Sequence, residues 1–368
     1  KVLYCIYRKT RMEGSSVNSR ERFKRMYEHK EADRVPIIDS PWAGTLSRWR
    51  REGMPEGMDW RDYFGVDKAE AIGVDISPRY PVKILEETDR YVIRTSEWGV
   101  TAKHFKEEDS TPEFLDFRVS TPDAWADAKR RMAYSPDRIP WEYLKENFPR
   151  WQAEGRWTQA VFWFGFDVTH SWMAGTETLL IAMLEDPDWV KDMFNTYLNA
   201  SIACFDAVWD AGYHFDEIFW YDDMGYKNTP FFSNELYRSL LQPYHRRAVE
   251  WAHNHGIYAH LHSCGDIMPL LPDVLATGVD CLNPLEVKAG MDGPAIKREY
   301  GDRLVLHGGI NAVLWDDKEA ILAEIERLLP IFKEKGGYIF SSDHSIPNSV
   351  SADNFREIVQ AVKHFGAY

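Results

Sequence analysis

The sequence predicts an α/β protein: a (β/α)8 barrel of the TIM type, with a β-hairpin inserted in its N-terminal half. Three observations predict it. From about residue 217 onward, short β-rich runs alternate with amphipathic helical stretches, the pattern of parallel strands joined by crossover helices. Four of those runs end in polar clusters: His260-Leu-His262-Ser-Cys264, Asn283-Pro-Leu-Glu286, His307-Gly-Gly and Ser341-Ser-Asp343-His344. A barrel builds its active site from such strand ends and the loops after them. No Gly-x-Gly-x-x-Gly fingerprint and no phosphate loop ending in Gly-Lys-Ser/Thr occurs, which disfavours the nucleotide-binding open sheet.

The elements follow in order. Residues 19–29 read as a basic helix leading into a first strand at 35–39. Residues 80–103 read as antiparallel, with a turn at Asp89-Arg90, and form the inserted hairpin. A middle strand at 160–164 precedes a helix at 177–184. The run 217–221 ends in Asp222-Asp223, and Ser233 is placed to cap a long helix reaching about His255, where Gly256 stops it. Strands at 258–261, 279–282, 304–306 and 338–340 then alternate with helices at 268–277, 292–300, 316–335 and 351–365. Gly278, Gly301 and the pair Gly336-Gly337 end the first three of these helices.

Composition bounds the function. The chain has 368 residues, 44% hydrophobic and 28% charged, enough to bury a large core. Its net charge of -14 excludes a general attraction to nucleic acid or to anionic membrane. No apolar run approaches the ~18 to 20 residues of a membrane span. Four cysteines (Cys5, Cys204, Cys264, Cys281) are too few for a disulfide scaffold and fit a reducing compartment, so a cytoplasmic location is expected. Residues 1–11 lack the small-residue cleavage pattern of a secretory signal, and Met12 is a natural start. Residues 1–18 are therefore read as an N-terminal extension and 19–368 as one barrel domain.

The strand-end clusters carry the candidate chemistry. His262 and Cys264 lie two residues apart in an extended segment, so both reach one centre, and imidazole with thiolate is a zinc donor set. Glu286 and His307 stand at the ends of the next two runs, where a carboxylate and an imidazole facing the barrel mouth need a partner. His344, flanked by Asp343, is a ligand or a general acid. Asp222 and Asp223 suit acid/base or anchoring work, Asp75 is a further acidic candidate, and His170 joins them. Trp163, Trp172 and Tyr221 lie in or just after strand ends, where they would line a site for a flat substrate.

Ser19-Arg-Glu-Arg-Phe, Ala32-Asp-Arg-Val-Pro36, Ser233-Asn-Glu-Leu-Tyr with Pro243-Tyr244, His262-Ser-Cys-Gly-Asp266 and Gly337-Tyr-Ile-Phe-Ser-Ser-Asp-His344 together resemble the uroporphyrinogen decarboxylase superfamily. The resemblance runs from about residue 19 to 365 and implies a distorted eightfold barrel. It also implies two chemistries. Decarboxylases of the superfamily hold a carboxylated porphyrinogen with an N-terminal arginine pair and an essential Asp. Asp75 and His344 match the essential Asp and the C-terminal histidine, but the matching stretch Asp39-Ser-Pro-Trp-Ala-Gly-Thr-Leu-Ser-Arg48 lacks the arginine pair.

The other branch holds zinc methyltransferases that work with corrinoid proteins. One sub-branch binds metal through His-x-Cys and a distant Cys; His262 and Cys264 match the first two, and no Cys stands near residues 341–343. In the demethylase sub-branch a Glu-x20-His spacing is similar to that of Glu286 and His307, with Cys264 or else His262 as third donor. The expected function is a zinc-dependent methyltransferase moving a methyl group from a small methylated substrate, such as an aromatic methyl ether, to a corrinoid (cobalamin) on a partner protein. The alternatives are a decarboxylase-like lyase and a non-catalytic tetrapyrrole- or corrinoid-binding protein. Barrels of this kind can dimerise mouth to mouth, so a homodimer is compatible with the resemblance.

Overall fold

The computed structural model describes residues 17–106 and 111–368. Most of the expected extension, residues 1–16, lies outside the described residues. Its last two positions belong to the fold, because Asn18 caps the helix Ser19–Tyr27 by accepting from Glu21 N and the Val17 carbonyl accepts from Arg22 Nη2.

Among the described residues thirteen strands follow in chain order: β1 (Ala69–Ile72), β2 (Ile84–Glu87), β3 (Tyr91–Thr95), β4 (Val100–Phe105), β5 (Glu113–Phe117), β6 (Trp157–Phe162), β7 (Glu217–Tyr221), β8 (Gly225–Tyr226), β9 (Thr229–Pro230), β10 (Tyr258–His262), β11 (Cys281–Asn283), β12 (Val305–His307) and β13 (Tyr338–Ile339). One parallel sheet of seven strands runs β1-β6-β7-β10-β11-β12-β13. It is curled, as a distorted TIM barrel requires. The expected first strand at 35–39 is not a regular strand, since Pro36 lacks the N–H a ladder needs. It nevertheless bridges the open edges. Ile38 N donates to Phe340 O at 3.0 Å, Phe340 N donates to Pro36 O at 2.9 Å, and Asp67 N donates to Ile37 O at 2.9 Å. This segment thus sits between β13 and β1.

Three expectations are corrected. The inserted hairpin is a four-stranded antiparallel sheet, β2-β3-β4-β5, and its fourth strand lies beyond the expected bounds. That strand is mostly exposed, so no buried stripe marks it in the sequence. Strand β1 was not expected, because in Ala-Glu-Ala-Ile only Ile72 is buried. The single helix expected from Ser233 to His255 is capped by Ser233 as foreseen, but it is a short helix Asn234–Leu236, a π turn Tyr237–Leu241 and a helix Gln242–Asn254. Pro243 at the start of the last piece removes the N–H that would continue one α ladder through the π turn.

The two ends of the barrel differ. At the N-terminal end the helix Ser19–Tyr27 packs Phe23, Met26 and Tyr27 against Trp157, Cys281, Val305 and Ile339. Tyr27 stacks on both Trp157 and Tyr258, at 5.4 and 4.3 Å between ring centres. That end is plugged, so the cavity opens at the C-terminal ends of the strands. Among the described residues no helix is long and apolar enough to cross a membrane.

Asp67 ties the plug to the ring. Its carboxylate, 2% exposed, accepts from Arg22, from Arg34 Nη1 at 2.6 Å, from Ile37 N at 2.8 Å and from Ser19 Oγ at 3.1 Å. Removing Asp67 leaves Arg22 with Asp33 as its one carboxylate partner and strips Arg34 and Ile37 N of theirs. Asp67→Ala is expected to lose about 3 to 5 kcal/mol of unfolding free energy, read from urea titration. A loss below about 1 kcal/mol would show that the closure does not depend on Asp67.

Candidate active site

His262 ends β10, and the extended backbone beyond it turns Cys264 to the same side. β7 lies beside β10 in parallel, with Tyr221 opposite His262, so Asp223 emerges next to both. The ligand atoms of Asp223, His262 and Cys264 all lie within 4.8 Å of one another, and they form the one such group of His, Cys, Asp or Glu found among the described residues. His262 Nε2 is 3.3 Å from Cys264 Sγ and 3.7 Å from Asp223 Oδ1.

The neighbours orient this group. Asn283 Nδ2 donates to the His307 carbonyl at 3.1 Å, which turns Asn283 Oδ1 toward His262 Nδ1. An amide oxygen only accepts, so Nδ1 carries the imidazole proton and Nε2 keeps its lone pair for the centre. Cys264 N donates to Asp223 Oδ1 at 2.7 Å and Gly265 N to Glu286 Oε2 at 2.6 Å. Gly265 has φ +80°, and a Cβ there would stand 2.1 Å from the Gly225 carbonyl carbon; only glycine lets the β10 loop pass so close to the β7 loop.

The group is crowded with acidic side chains. Burial raises the Cys264 thiol pKa well above its ordinary value, and Asp223, Glu286 and Asp167 add to the shift against a smaller opposing pull from Lys288. Burial likewise raises Asp223, with His262 opposing. A dication relieves this crowding of acidic groups. The donor set of one nitrogen, one sulfur and one oxygen suits zinc, and tetrahedral zinc at its usual bond lengths sets N···S and N···O edges of about 3.3 to 3.6 Å. The separations of 3.3 and 3.7 Å lie close to those edges, so the residues fit the metal.

A cavity of about 410 Å³ opens over His262 and Cys264. Asp39, His307, Asp343 and His344 also line it, with Phe219 and Tyr221 as an aromatic wall, and no Arg or Lys is among its lining residues. Asp39 accepts from Ser342 N at 2.8 Å, Ser40 N at 2.7 Å and Ser342 Oγ at 3.2 Å. Burial outweighs those bonds and pushes its carboxyl up to about 7. Asp343 is structural: its two oxygens accept from Val287 N and Ala312 N, both at 2.7 Å. His344 is exposed, and its pKa is lowered by desolvation and then by Lys288.

Of the candidates read from sequence, the structure gathers His262 and Cys264, and places Tyr221, His307 and His344 in the same cavity. Asp222 is corrected. It is fully buried and faces away, accepting from His245 Nε2 at 2.6 Å and Asp167 N at 2.8 Å. Successive residues of an extended chain point to opposite sides, so Asp223 takes the place at the mouth. Glu286 and His307 do not join the three-donor group. Glu286 is engaged by Gly265 N and lies 3.3 Å from Lys288 Nζ, and His307 Nδ1 faces His260. Asp75 is paired with Arg79 at 2.6 Å and lines a second cavity of about 740 Å³ together with Trp163 and Trp172. Trp163 stacks on Tyr221 at 5.6 Å, so this ring pair lies between the two cavities. His170 lines neither; its ring nitrogens meet Thr176 and Ser171 and its face stacks on Phe166. Asp39 and Asn283 were missed as functional residues, although Asp39 ends the first expected strand as His262 ends a later one.

A ring of parallel strands with its donors at the C-terminal rim defines an enzyme-type α/β barrel. The sequence profile of the uroporphyrinogen decarboxylase (URO-D) family matches residues 164–365, more than half of the chain, and the chain belongs to that family. A uroporphyrinogen decarboxylase of Alcanivorax borkumensis is 34% identical over 98 residues, 25% of this chain and 26% of that protein. One from Chloroherpeton thalassium is 26% identical over 136 residues, 36% of this chain and 38% of that protein. Each of these alignments spans well under half of the relative's length. A methyltransferase from Methanosarcina mazei shares the fold over 95% of this chain and 99% of its own, with TM-score 0.59 and 16% identity.

Asp39 makes stability depend on pH. Its raised pKa means that the folded chain binds its proton more tightly than the unfolded chain does. Its contribution is therefore fully present below about pH 4, the unfolded value, and is lost as pH rises through about 7. Asp39→Asn is expected to flatten this part of the stability profile, measured as the urea midpoint at pH 5 and pH 8. An unchanged slope would place the proton elsewhere.

Proposed function

We propose that this URO-D family protein is a metal-dependent methyltransferase, taking a methyl group from a small methylated substrate and passing it to a corrinoid on a partner protein. The observation that carries this reading is the His262, Cys264 and Asp223 group, three donors of three chemical types converging over a small cavity. They would hold zinc with one position open. Bound there, zinc would supply a Lewis acid that draws electron density from the substrate oxygen or sulfur.

The chain's own groups do the rest. Asn283 keeps His262 Nε2 turned to the donor group. Phe219 and Tyr221 offer flat apolar surface to an aromatic or similarly shaped substrate. Asp39 lines the same cavity and, with its carboxyl near 7, is partly protonated at neutral pH, so it can give a proton to the oxygen that the methyl group leaves. The methyl carbon–oxygen bond breaks as the acceptor takes the methyl group, and that proton neutralises the oxygen left behind.

The names of the sequence relatives favour a second reading, porphyrinogen decarboxylation. The cavity lining argues against it, because a polycarboxylate needs cationic partners and no Arg or Lys lines this cavity.

Protein prepared without chelator is expected to hold about one equivalent of zinc and to form methylcobalamin from cob(I)alamin and small aryl methyl ethers. The His262→Ala Cys264→Ala double variant is expected to lose the metal and the activity; metal retained in that variant would overturn the assignment. Decarboxylation of a porphyrinogen without metal would establish the second reading instead. Asn283→Leu is expected to weaken zinc binding about 10- to 100-fold in a competition titration, since it frees the His262 ring.

A further inference from the structure

The four-stranded insertion takes no part in the proposed methyl transfer, yet the turn between β3 and β4 reaches the rim of the barrel. Glu97 and Trp98 belong to that turn, and both line the cavity of about 740 Å³. The same cavity is lined by residues 73–76, which follow β1, and by Trp163, which directly follows β6. It therefore lies at the C-terminal ends of two barrel strands, with the insertion as its far wall. The turn is held in place. Tyr80 N donates to Glu97 O at 2.9 Å and Arg118 N to Gly99 O at 3.0 Å, and the Arg118 guanidinium sits 4.3 Å from the centre of the Tyr80 ring. Gly99 has φ +91°, and a Cβ there would stand 2.9 Å from that ring, so glycine lets the turn pack down on Tyr80.

Three partly exposed indoles line this cavity, and each is braced by another ring. Trp163 stacks on Tyr221 at 5.6 Å, which occupies one of its two faces. Trp172 ends the helix Phe166–Trp172 and meets Phe114 of β5 edge to face at 6.0 Å. Trp98 meets Tyr197 edge to face at 6.3 Å. Rings fixed in this way offer contact area without losing side-chain freedom when a ligand enters.

The charges in the lining do not cancel. Arg79 is taken up by two carboxylates, Asp75 Oδ2 at 2.6 Å and Asp137. Arg138, 3% exposed, lies 3.9 Å from Asp75 Oδ1 and gives its N–H groups to the carbonyls of Ala133, Asp75, Ser77 and Arg131. Two guanidinium groups thus answer two carboxylates. The side chain of Glu97 is exposed and has no ion-pair or hydrogen-bond partner among the described residues. One unopposed negative charge is left beside three indoles. The face of an indole is electron-rich and attracts a cation, most of all one that sheds its water readily. An ammonium covered by alkyl groups is such a cation, since it is weakly hydrated and needs few or no hydrogen-bond acceptors.

We propose that this cavity binds an organic cation of the alkylated ammonium class, with its alkyl groups against Trp98, Trp163 and Trp172 and its charge opposed by Glu97. The volume suits a whole metabolite-sized molecule in addition to the ammonium head. The Trp163 and Tyr221 rings lie between this cavity and the one over His262 and Cys264, so the cation has a site of its own. Binding there requires neither a metal nor methyl transfer.

Choline and 3,3-dimethylbutan-1-ol have nearly the same shape and differ in charge, so they separate a cation site from an apolar one. In calorimetric titrations of the full chain, choline is expected to bind about tenfold more tightly than the neutral alcohol. Equal affinities, or no binding of choline, would overturn the proposal. Glu97→Gln removes a side chain that holds nothing else, so it is expected to fold as the parent does. It should weaken choline about fivefold and leave the alcohol unchanged. Trp98→Leu is expected to weaken choline about tenfold. Choline affinity unchanged in both variants would place the cation elsewhere and overturn the site. If circular dichroism shows that Trp98→Leu does not fold, Glu97→Gln decides alone.

Discussion

The parallel register of β7, β10 and β11 governs the mouth of the barrel. His262 lies opposite Tyr221 on one side and Asn283 on the other, so the residues just beyond these positions emerge at one level. Asp223 then meets His262 and Cys264, and Asn283 reaches back to hold the His262 ring. Shifting one strand by a single residue would turn Asp223 inward and Asp222 outward, because side chains alternate with period two. The close backbone approach of Gly265 and Gly225 locks the β7 and β10 loops at that register.

The same period decides what lies below. His260 shares the parity of His262 and so points into the barrel, where it is enclosed together with Glu217 and Tyr27. A carboxylate and two imidazoles away from water are tolerated because each finds a partner. The helix Ser19–Tyr27 completes that satisfaction by supplying the Tyr27 hydroxyl, and Asp67 fixes the helix to the ring through Arg22. The plug at one end and the ordered imidazoles near the other are thus parts of one polar network.

Charge sets the character of the cavity. Asp223, Glu286 and Asp167 surround the Cys264 thiol, and Asp39 and Asp343 stand across the lining with no Arg or Lys. On the proposed function, such a site would suit a cation and a neutral substrate better than a polycarboxylate.

From residue 217 onward, alternation and capping residues were enough to read the barrel, because the strands of the parallel sheet there are marked by buried runs and most of the helices between them by their own stops. His262-x-Cys264 was legible for the same reason, two positions of one parity in one strand. The N-terminal half was less legible: β1 and β5 bury too little to leave a pattern, and the segment 35–39 completes the ring through single bridges around Pro36. The third donor required the fold. The resemblance pointed to Glu286 and His307 as donors and the residues offered Asp222 and Asp223 only for acid/base or anchoring work, since no local pattern tells which carboxylate on a neighbouring strand faces a given centre. Only the packing of His245 against Asp222, of Gly265 against Glu286 and of His260 against His307 withdrew three of them and left Asp223 beside the thiol, because a buried polar group goes where its hydrogen bonds are satisfied.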